Sequence, residues 1–250
     1  MGKSTIQNKF LNEERLVVSD ISGTTRDTVS SVFDFEEDRF VFVDTAGIRR
    51  PGNANRKFLD RLSTQRAKRA IERSDISVLM IDGEEGIVHQ DLAIANLIIE
   101  AKKGFILAVN KWDKKSKGET EIKKMLRSLK WKFAFARWVA VVFTSGKTGK
   151  NIFDILKTAK EIMKERKKRI PTAEFNKFLS ETIINNPPKS KLTAKFFYGS
   201  QVDISPPHFL FFVNSVEAIH FSYRRYLENK IREKYGFFGT GIKIEMKKKS

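Results

Sequence analysis

Between residues 76 and 169, continuous apolar runs alternate with amphipathic stretches, and this alternation constrains the fold more than any other feature. Ile76 to Ile81, Phe105 to Val109 and Val139 to Phe143 read as strands buried on both faces, while Gln90 to Lys102, Glu121 to Leu129 and Ile152 to Arg169 read as helices. Strands joined in this way form a parallel sheet covered by helices on both sides. In such sheets a ligand sits beyond the carboxyl ends of the strands. Three short motifs occupy strand ends here: Asp44-Thr45-Ala46-Gly47 after the run Phe40 to Val43, Asn110-Lys111-Trp112-Asp113 after Val109, and Thr144-Ser145-Gly146-Lys147 after Phe143.

Each motif has a chemical reading beside a bland one, namely a polar turn after a strand. An aspartate at the end of a buried strand, followed by a glycine that lets the backbone approach a phosphate, suits a magnesium nucleotide site; Asp44 and Gly47 are those residues. In the Asn-Lys-x-Asp pattern, Asp113 can accept two hydrogen bonds from the N1 imino and 2-amino edge of guanine, a pair of donors that adenine lacks. Asn110 would brace that pocket, the aliphatic part of Lys111 would cover the base, and Ser145 and Gly146 would offer backbone contacts to the guanine oxygen. Gly2-Lys3-Ser4 is the end of a phosphate-binding loop, with Lys3 suited to the β and γ phosphates, Ser4 to magnesium, and Thr5 continuing into the helix. The first glycine of that loop and the strand before it precede the residues present. Thr25 is the candidate switch threonine for magnesium, with Thr24 the alternative. Ile48 stands where many GTPases place a water-orienting glutamine.

The flanking elements are legible too. Lys3 to Leu11 has helical spacing, and a polar stretch then runs to Asp27. Val29 to Phe35 and Arg39 to Val43 form a hairpin about Glu36-Glu37-Asp38. Arg49 to Asn53 is turn-rich, and Phe58 to Arg73 is a basic helix with Phe58, Leu62, Ala70 and Ile71 on its apolar side. Past Pro171, Thr172 can cap a helix that buries Phe175, Phe178, Leu179 and Ile183. Strands at Leu192 to Tyr198, Phe209 to Val213 and Ile242 to Glu245, with a helix at Phe221 to Tyr235, complete an α-β-β-α-β module. On that helix Phe221, Leu227 and Ile231 are expected in the core.

The charge divides unevenly. Forty-eight Lys and Arg against 30 Asp and Glu give +18. Residues 1 to 163 hold 30 basic and 22 acidic groups, net +8, and the shorter remainder holds 18 and 8, net +10. That density draws polyanions, nucleic acid first, against the plain alternative of a lysine-rich solvated surface. There is no cysteine, hence no disulfide framework or thiolate metal site. No apolar stretch reaches membrane-spanning length and the N-terminus lacks signal-peptide order, so the expectation is a soluble chain without stable membrane insertion.

Taken in order, GKST, GTTRD, DTAGIRR, NKWD and the loop before TGK, then NPP, FVNS, HFSYRRYLEN and GFFGTGIKI, resemble the Der (EngA) family of bacterial double GTPases, over its second GTPase domain and its C-terminal KH-like domain. The resemblance implies a P-loop GTPase-type, doubly wound, mostly parallel α/β sheet with the first strand missing, over residues 1–169, then a basic α+β KH-like domain over 170–250. It implies binding of GTP and GDP with Mg2+, hydrolysis as a switch in large ribosomal subunit assembly, and a cytoplasmic, ribosome-associated protein bound to rRNA rather than DNA, with a monomer favoured. Carried over residue by residue, Gly2, Lys3, Ser4, Thr5, Asp44, Gly47, Asn110, Lys111, Asp113, Ser145 and Gly146 form the nucleotide site. Ser4, Thr25 and Asp44 hold the metal, and Lys3, Thr25 and Gly47 serve catalysis. Three departures stand out: the first GTPase domain is missing; the phosphate loop is cut, taking with it the asparagine that holds a K+ ion in related GTPases; and Gly146 replaces the usual alanine. The alternative is a nonhydrolysing RNA- or ribosome-binding fragment without a complete phosphate loop. Gly236-Phe237-Phe238-Gly239 matches a KH-type GxxG, but it follows the last helix instead of joining two helices.

Overall fold

Strands β4 (Ile76–Asp82), β5 (Gly104–Asn110) and β6 (Ala140–Phe143) form a parallel sheet in the order β4-β5-β6. Every residue of β5 is buried, because it lies between its two neighbours with helices packed on the sheet. The computed structural model describes residues 2–11, 17–19, 31–43, 56–114, 119–133, 136–188 and 194–249. Thr24, Thr25 and everything from Asp44 to Asn55, including the whole of Asp44 to Ile48, lie outside the described residues. Contacts divide the chain into two compact units, 1–159 and 160–250, with the division inside the helix Asp154–Lys167.

In the first unit, α1 (Lys3–Leu11), α2 (Arg56–Arg73), α3 (His89–Glu100), α4 (Glu119–Lys132) and the first part of α5 (Asp154–Lys167) accompany the strands. The core of the parallel sheet joins Ile81, Phe105, Leu107 and Val109 to Ile71 of α2, Ala95 and Ile98 of α3, and Leu129 of α4. At the start of α3, the Asp91 carboxylate accepts from the Val88 N–H at 3.1 Å, which satisfies one of the first-turn donors. A second sheet, β1 (Val17–Ser19), β2 (Ser31–Phe35) and β3 (Asp38–Phe42), is antiparallel throughout. Its hairpin turns at Glu36 (φ 55°), and Arg39 Nε meets Asp34 Oδ1 across the strands at 3.0 Å. Phe10 of α1 docks on this sheet through Phe33 and Phe42 and meets Phe153 edge-on at 5.7 Å.

Two features differ from the sequence expectation. Val17–Ser19 forms a short strand inside the stretch read as polar, because Val17 and Val18 pair with Asp34 and Phe33. The strand leading to Asp44 is separated from the parallel sheet: among the described residues β3 pairs only with β2, and β4 only with β5.

In the second unit, β7 (Phe196–Ile204), β8 (Pro207–Val213) and β9 (Lys243–Lys248) are ordered β7-β8-β9, antiparallel then parallel, with α6 (Thr172–Asn185) and α7 (Phe221–Tyr235) completing the α-β-β-α-β module. Alternate residues of β8, Phe209, Phe211 and Val213, point inward to Phe175 and Leu179 of α6 and to Tyr223, Leu227 and Ile231 of α7. The helical cap is Pro171, not Thr172: Pro171 takes the extended cap conformation (φ −60°, ψ 137°), and Thr172 is the first helical residue. β7 starts at Phe196, not Leu192, and Leu192 lies outside the described residues. Phe221 is 63% exposed, because the buried stripe of α7 runs through Tyr223, Leu227 and Ile231 at four-residue steps and leaves Phe221 off that face. Tyr223 donates its hydroxyl to the Asn186 carbonyl at 2.8 Å, and burial pushes its ionisation up to about 12.

The segment after α7 is pinned from several directions. Gly236 closes the helix at φ 88°, and Phe237 is fully buried with its N–H donated to Glu165 Oε2 at 2.5 Å. Arg232 donates to the carbonyls of Phe237 (2.9 Å) and Thr240 (3.0 Å), and the buried Arg166 donates to Thr240 Oγ1 at 2.8 Å. Gly236 to Gly239 is therefore a core-locked turn, not an open nucleic-acid clamp.

Candidate functional site

Four of the residues expected at the base end of the site meet at the carboxyl ends of β5 and β6. Asn110, the last residue of β5, is 2% exposed, and its Oδ1 accepts from the Gly146 N–H at 2.9 Å. Asp113 lies in the 3-10 turn Trp112–Lys114, where its Oδ1 accepts from the Ser145 hydroxyl at 2.5 Å. Ser145 Oγ in turn accepts from the Thr148 N–H at 3.2 Å. Two backbone bonds, Thr144 N to the Val109 carbonyl (2.8 Å) and Trp112 N to the Thr144 carbonyl (3.1 Å), hold the two loops in register. The Trp112 ring rests 4.5 Å from that of Phe143.

The loop after β6 uses its amides differently from the sequence expectation. Ser145 N–H donates to the Lys150 carbonyl at 3.1 Å and Gly146 N–H to Asn110, so neither amide is directed to a guanine oxygen. Thr144 Oγ1 is buried without a partner beside these groups. A Cβ on Gly146 would lie 3.1 Å from Ile6 Cγ1 of α1, so the alanine usual in the family needs Ile6 to give by a few tenths of an ångström.

Lys111 has a further partner. It adopts φ 61° and places Nζ 2.5 Å from Oδ2 of Asp82, the buried last residue of β4. Burial would raise the Asp82 carboxyl, but Lys111 and the Glu84 N–H (2.9 Å) outweigh it and hold the group below the usual carboxylate value. Asp82 is not among the residues singled out from sequence. Its signal was available: an acidic residue closing a buried apolar run, followed by Gly83, the same grammar as Asp44. Gly83 donates to the Asn110 carbonyl at 2.8 Å, and a Cβ there would stand 2.8 Å from that oxygen. Because its folded value is lowered, Asp82 contributes stability above its unfolded value that is lost as pH falls through the folded one. Asp82→Asn is expected to flatten the acid limb of the stability profile below about pH 4 in urea melts.

At the phosphate end, Gly2 stands at φ 87°, and a Cβ on it would lie 2.4 Å from Asn110 Nδ2. The start of α1 is thus brought directly onto Asn110. Gly2→Ala is expected to displace Asn110 from Gly146 and weaken nucleotide binding roughly 10-fold or more, measured by fluorescence titration. Thr5 is exposed, with its Cβ close to Gly146. Lys3 and Ser4 lie in the first turn of α1, and Thr25, Asp44 and Gly47 fall outside the described residues. Among the described residues, no group of three or more His, Cys, Asp or Glu side chains could hold a metal.

A parallel sheet with Asn-Lys-x-Asp and Ser-Gly-Lys loops at its strand ends, and a Gly-Lys-Ser helix start beside them, defines a P-loop GTPase-type domain, followed here by a KH-like domain. Residues 1–111 match the family model described as a 50S ribosome-binding GTPase, and residues 169–247 match that of the KH-domain-like C-terminal region of EngA bacterial GTPase enzymes. GTPase Der of Thermomicrobium roseum is 44% identical over 248 residues, covering 98% of this chain and 54% of that protein. GTPase Der of Clostridium botulinum (strain Langeland) is 42% identical over 251 residues, covering 100% and 57%. Among solved structures, Era in complex with MgGDPNP and nucleotides 1506–1542 of 16S ribosomal RNA matches with a TM-score of 0.50 at 21% identity, over 99% of this chain and 88% of that one, which supports the fold. The chain belongs to the Der (EngA) family of GTPases. It spans a little over half the length of the curated relatives it matches.

Proposed function

We propose that this chain binds guanine nucleotide with Mg2+ and hydrolyses GTP to GDP as a switch in large ribosomal subunit assembly. The observation that carries the reading is the buried Asn110 amide clasping Gly146 beside an Asp113 carboxylate oriented by Ser145. A carboxylate fixed this way can meet the N1 and 2-amino donors of guanine, and the residues present fit that base. Lys3 and Ser4 would hold the phosphates and magnesium, with Thr25 and Asp44 completing the metal shell and Gly47 donating its N–H to the γ phosphate. Magnesium supplies neutralisation of the charge that develops on the phosphate oxygens. Water attacks the γ phosphorus in line, the bond to the β-γ bridging oxygen breaks with GDP as the leaving group, and the water's oxygen and proton leave with the phosphate product. Ile48 cannot orient that water by hydrogen bonding, so the chain's contribution is positional and electrostatic. K+ is the candidate cation for the remaining charge, and exchange of K+ for Na+ tests it.

We assign the nucleotide chemistry to residues 1–169 and ribosome contact, through rRNA and not DNA, to the basic residues 170–250, in a cytoplasmic monomer. Titration with fluorescent GTP and GDP, with and without Mg2+, tests the first half: micromolar, magnesium-dependent binding with phosphate release supports it. Absence of binding would sink it in favour of a nonhydrolysing RNA-binding chain. Co-sedimentation with large-subunit particles tests the second half.

A further inference from the structure

The outward face of the sheet β7-β8-β9 carries aromatic rings that its own core does not use. The register of β7 slips between Phe196 and Tyr198, so that Phe196 packs inward against Phe211 and Tyr223 while Phe197 and Tyr198 are both 40% exposed. Tyr198 stacks on Phe212 of β8 at 4.3 Å and 17°, and Phe212 pairs in register with the exposed Lys247 of β9. Lys195 and Lys249 hold their ammonium groups 5.4 and 4.8 Å from the centre of the Phe197 ring. The acidic group of the next row, Glu245, is turned to His208 (3.0 Å) and Lys243 (3.4 Å). α6 and α7 supply their buried residues to the opposite, inner face.

We propose that this face is a stacking platform for single-stranded RNA, with bases on Phe197 and on the Tyr198–Phe212 pair and phosphates met by Lys195, Lys247 and Lys249; the proposal rests on the reading that the C-terminal module contacts rRNA. The rim decides the occupant. Lysine is depleted from protein–protein interfaces, whereas three exposed lysines border these rings in the C-terminal third of the chain, which carries net +10. Every base has a π face, so rings bordered by cations recognise unpaired strands with little demand on sequence. The lysines over Phe197 make weak, solvent-exposed contacts and can move to phosphates when a base arrives. The platform is separate from the locked turn at Gly236 to Gly239 and from Arg224 and Arg225 on α7.

Binding of the full chain to a fluorescein-labelled decameric oligoadenylate, read by anisotropy at low salt, tests the platform. Phe197→Ala combined with Tyr198→Ala is expected to weaken binding roughly 10-fold or more, while Tyr198→Phe binds like the unaltered protein. Lys195→Ala, Lys247→Ala and Lys249→Ala together should flatten the salt dependence by about two units of logarithmic slope. Ultraviolet crosslinking of the unaltered chain, mapped by mass spectrometry, should mark Phe197, Tyr198 or Phe212, and it decides the matter even if the ring variants fold poorly. Crosslinks confined to α7, or duplex RNA binding as tightly as single strand, would overturn the platform and leave the ribosome reading standing. So would ring-dependent self-association that RNA does not reverse. Failure of the unaltered chain to sediment with large-subunit particles would instead remove the reading on which the platform rests.

Discussion

Asp113→Asn is expected to weaken GTP binding at least about 100-fold, close to 2.7 kcal/mol, with little change in thermal stability. The carboxylate can offer only acceptors, one of which is committed to the Ser145 hydroxyl at 2.5 Å. An amide has one acceptor and two donors, so one of its ends must face either the Ser145 oxygen or the 2-amino group of guanine with the wrong polarity. A buried mismatch of this kind costs more than the loss of a bond, because both groups have already left water. Adenine nucleotide should bind neither protein measurably. Equal GTP affinity of the two proteins by isothermal titration would remove Asp113 from the base site.

Gly239→Ala is expected to destabilise the C-terminal unit by about 3 kcal/mol and lower its melting transition by roughly 10 °C or more, in calorimetry of the full chain. Gly239 has φ 66°, and a Cβ there would stand 2.3 Å from Cγ1 of Ile162, which is itself fully buried. Rotating Ile162 away moves the overlap elsewhere in a packed interior. The turn cannot yield either, since Glu165, Arg166 and Arg232 grip it at Phe237 and Thr240. A change under 1 kcal/mol would mean that the turn is looser than these contacts describe.

Helices with a strong stripe were the most legible elements. Phe221–Tyr235 begins and ends where its periodicity places it, because burial of one face, with His220 at its N-cap and Gly236 at its C-cap, leaves little choice of boundary. β5 was equally clear, since only a central parallel strand can be apolar at every position. Hydrogen-bond partners were less accessible. The Asn-Lys-x-Asp spacing identified Asn110 and Asp113, but which amides of the 145–147 loop are spent inside the chain depends on Lys150 and Asn110 meeting them across the fold. Spacing alone does not mark Asp82, because its partner Lys111 is 29 positions away and joins it through the parallel pairing of β4 with β5. Phe221 stands outside the core because the buried stripe runs through Tyr223, Leu227 and Ile231, and its aromatic character does not place it on that face.

Among the described residues, β3 and β4 each have a sheet neighbour on one side only, and this bears on how copies of this chain meet in solution. Among the described residues, the other side of each strand holds backbone donors and acceptors that no sheet partner takes up, groups able to pair with an extended strand of another copy. A net charge of +18 opposes the approach of copies through long-range repulsion. Raising ionic strength shortens the reach of that repulsion to about 10 Å at 0.1 M and about 3 Å at 1 M while leaving the edges unchanged. Salt therefore weakens this repulsion before it touches the fold.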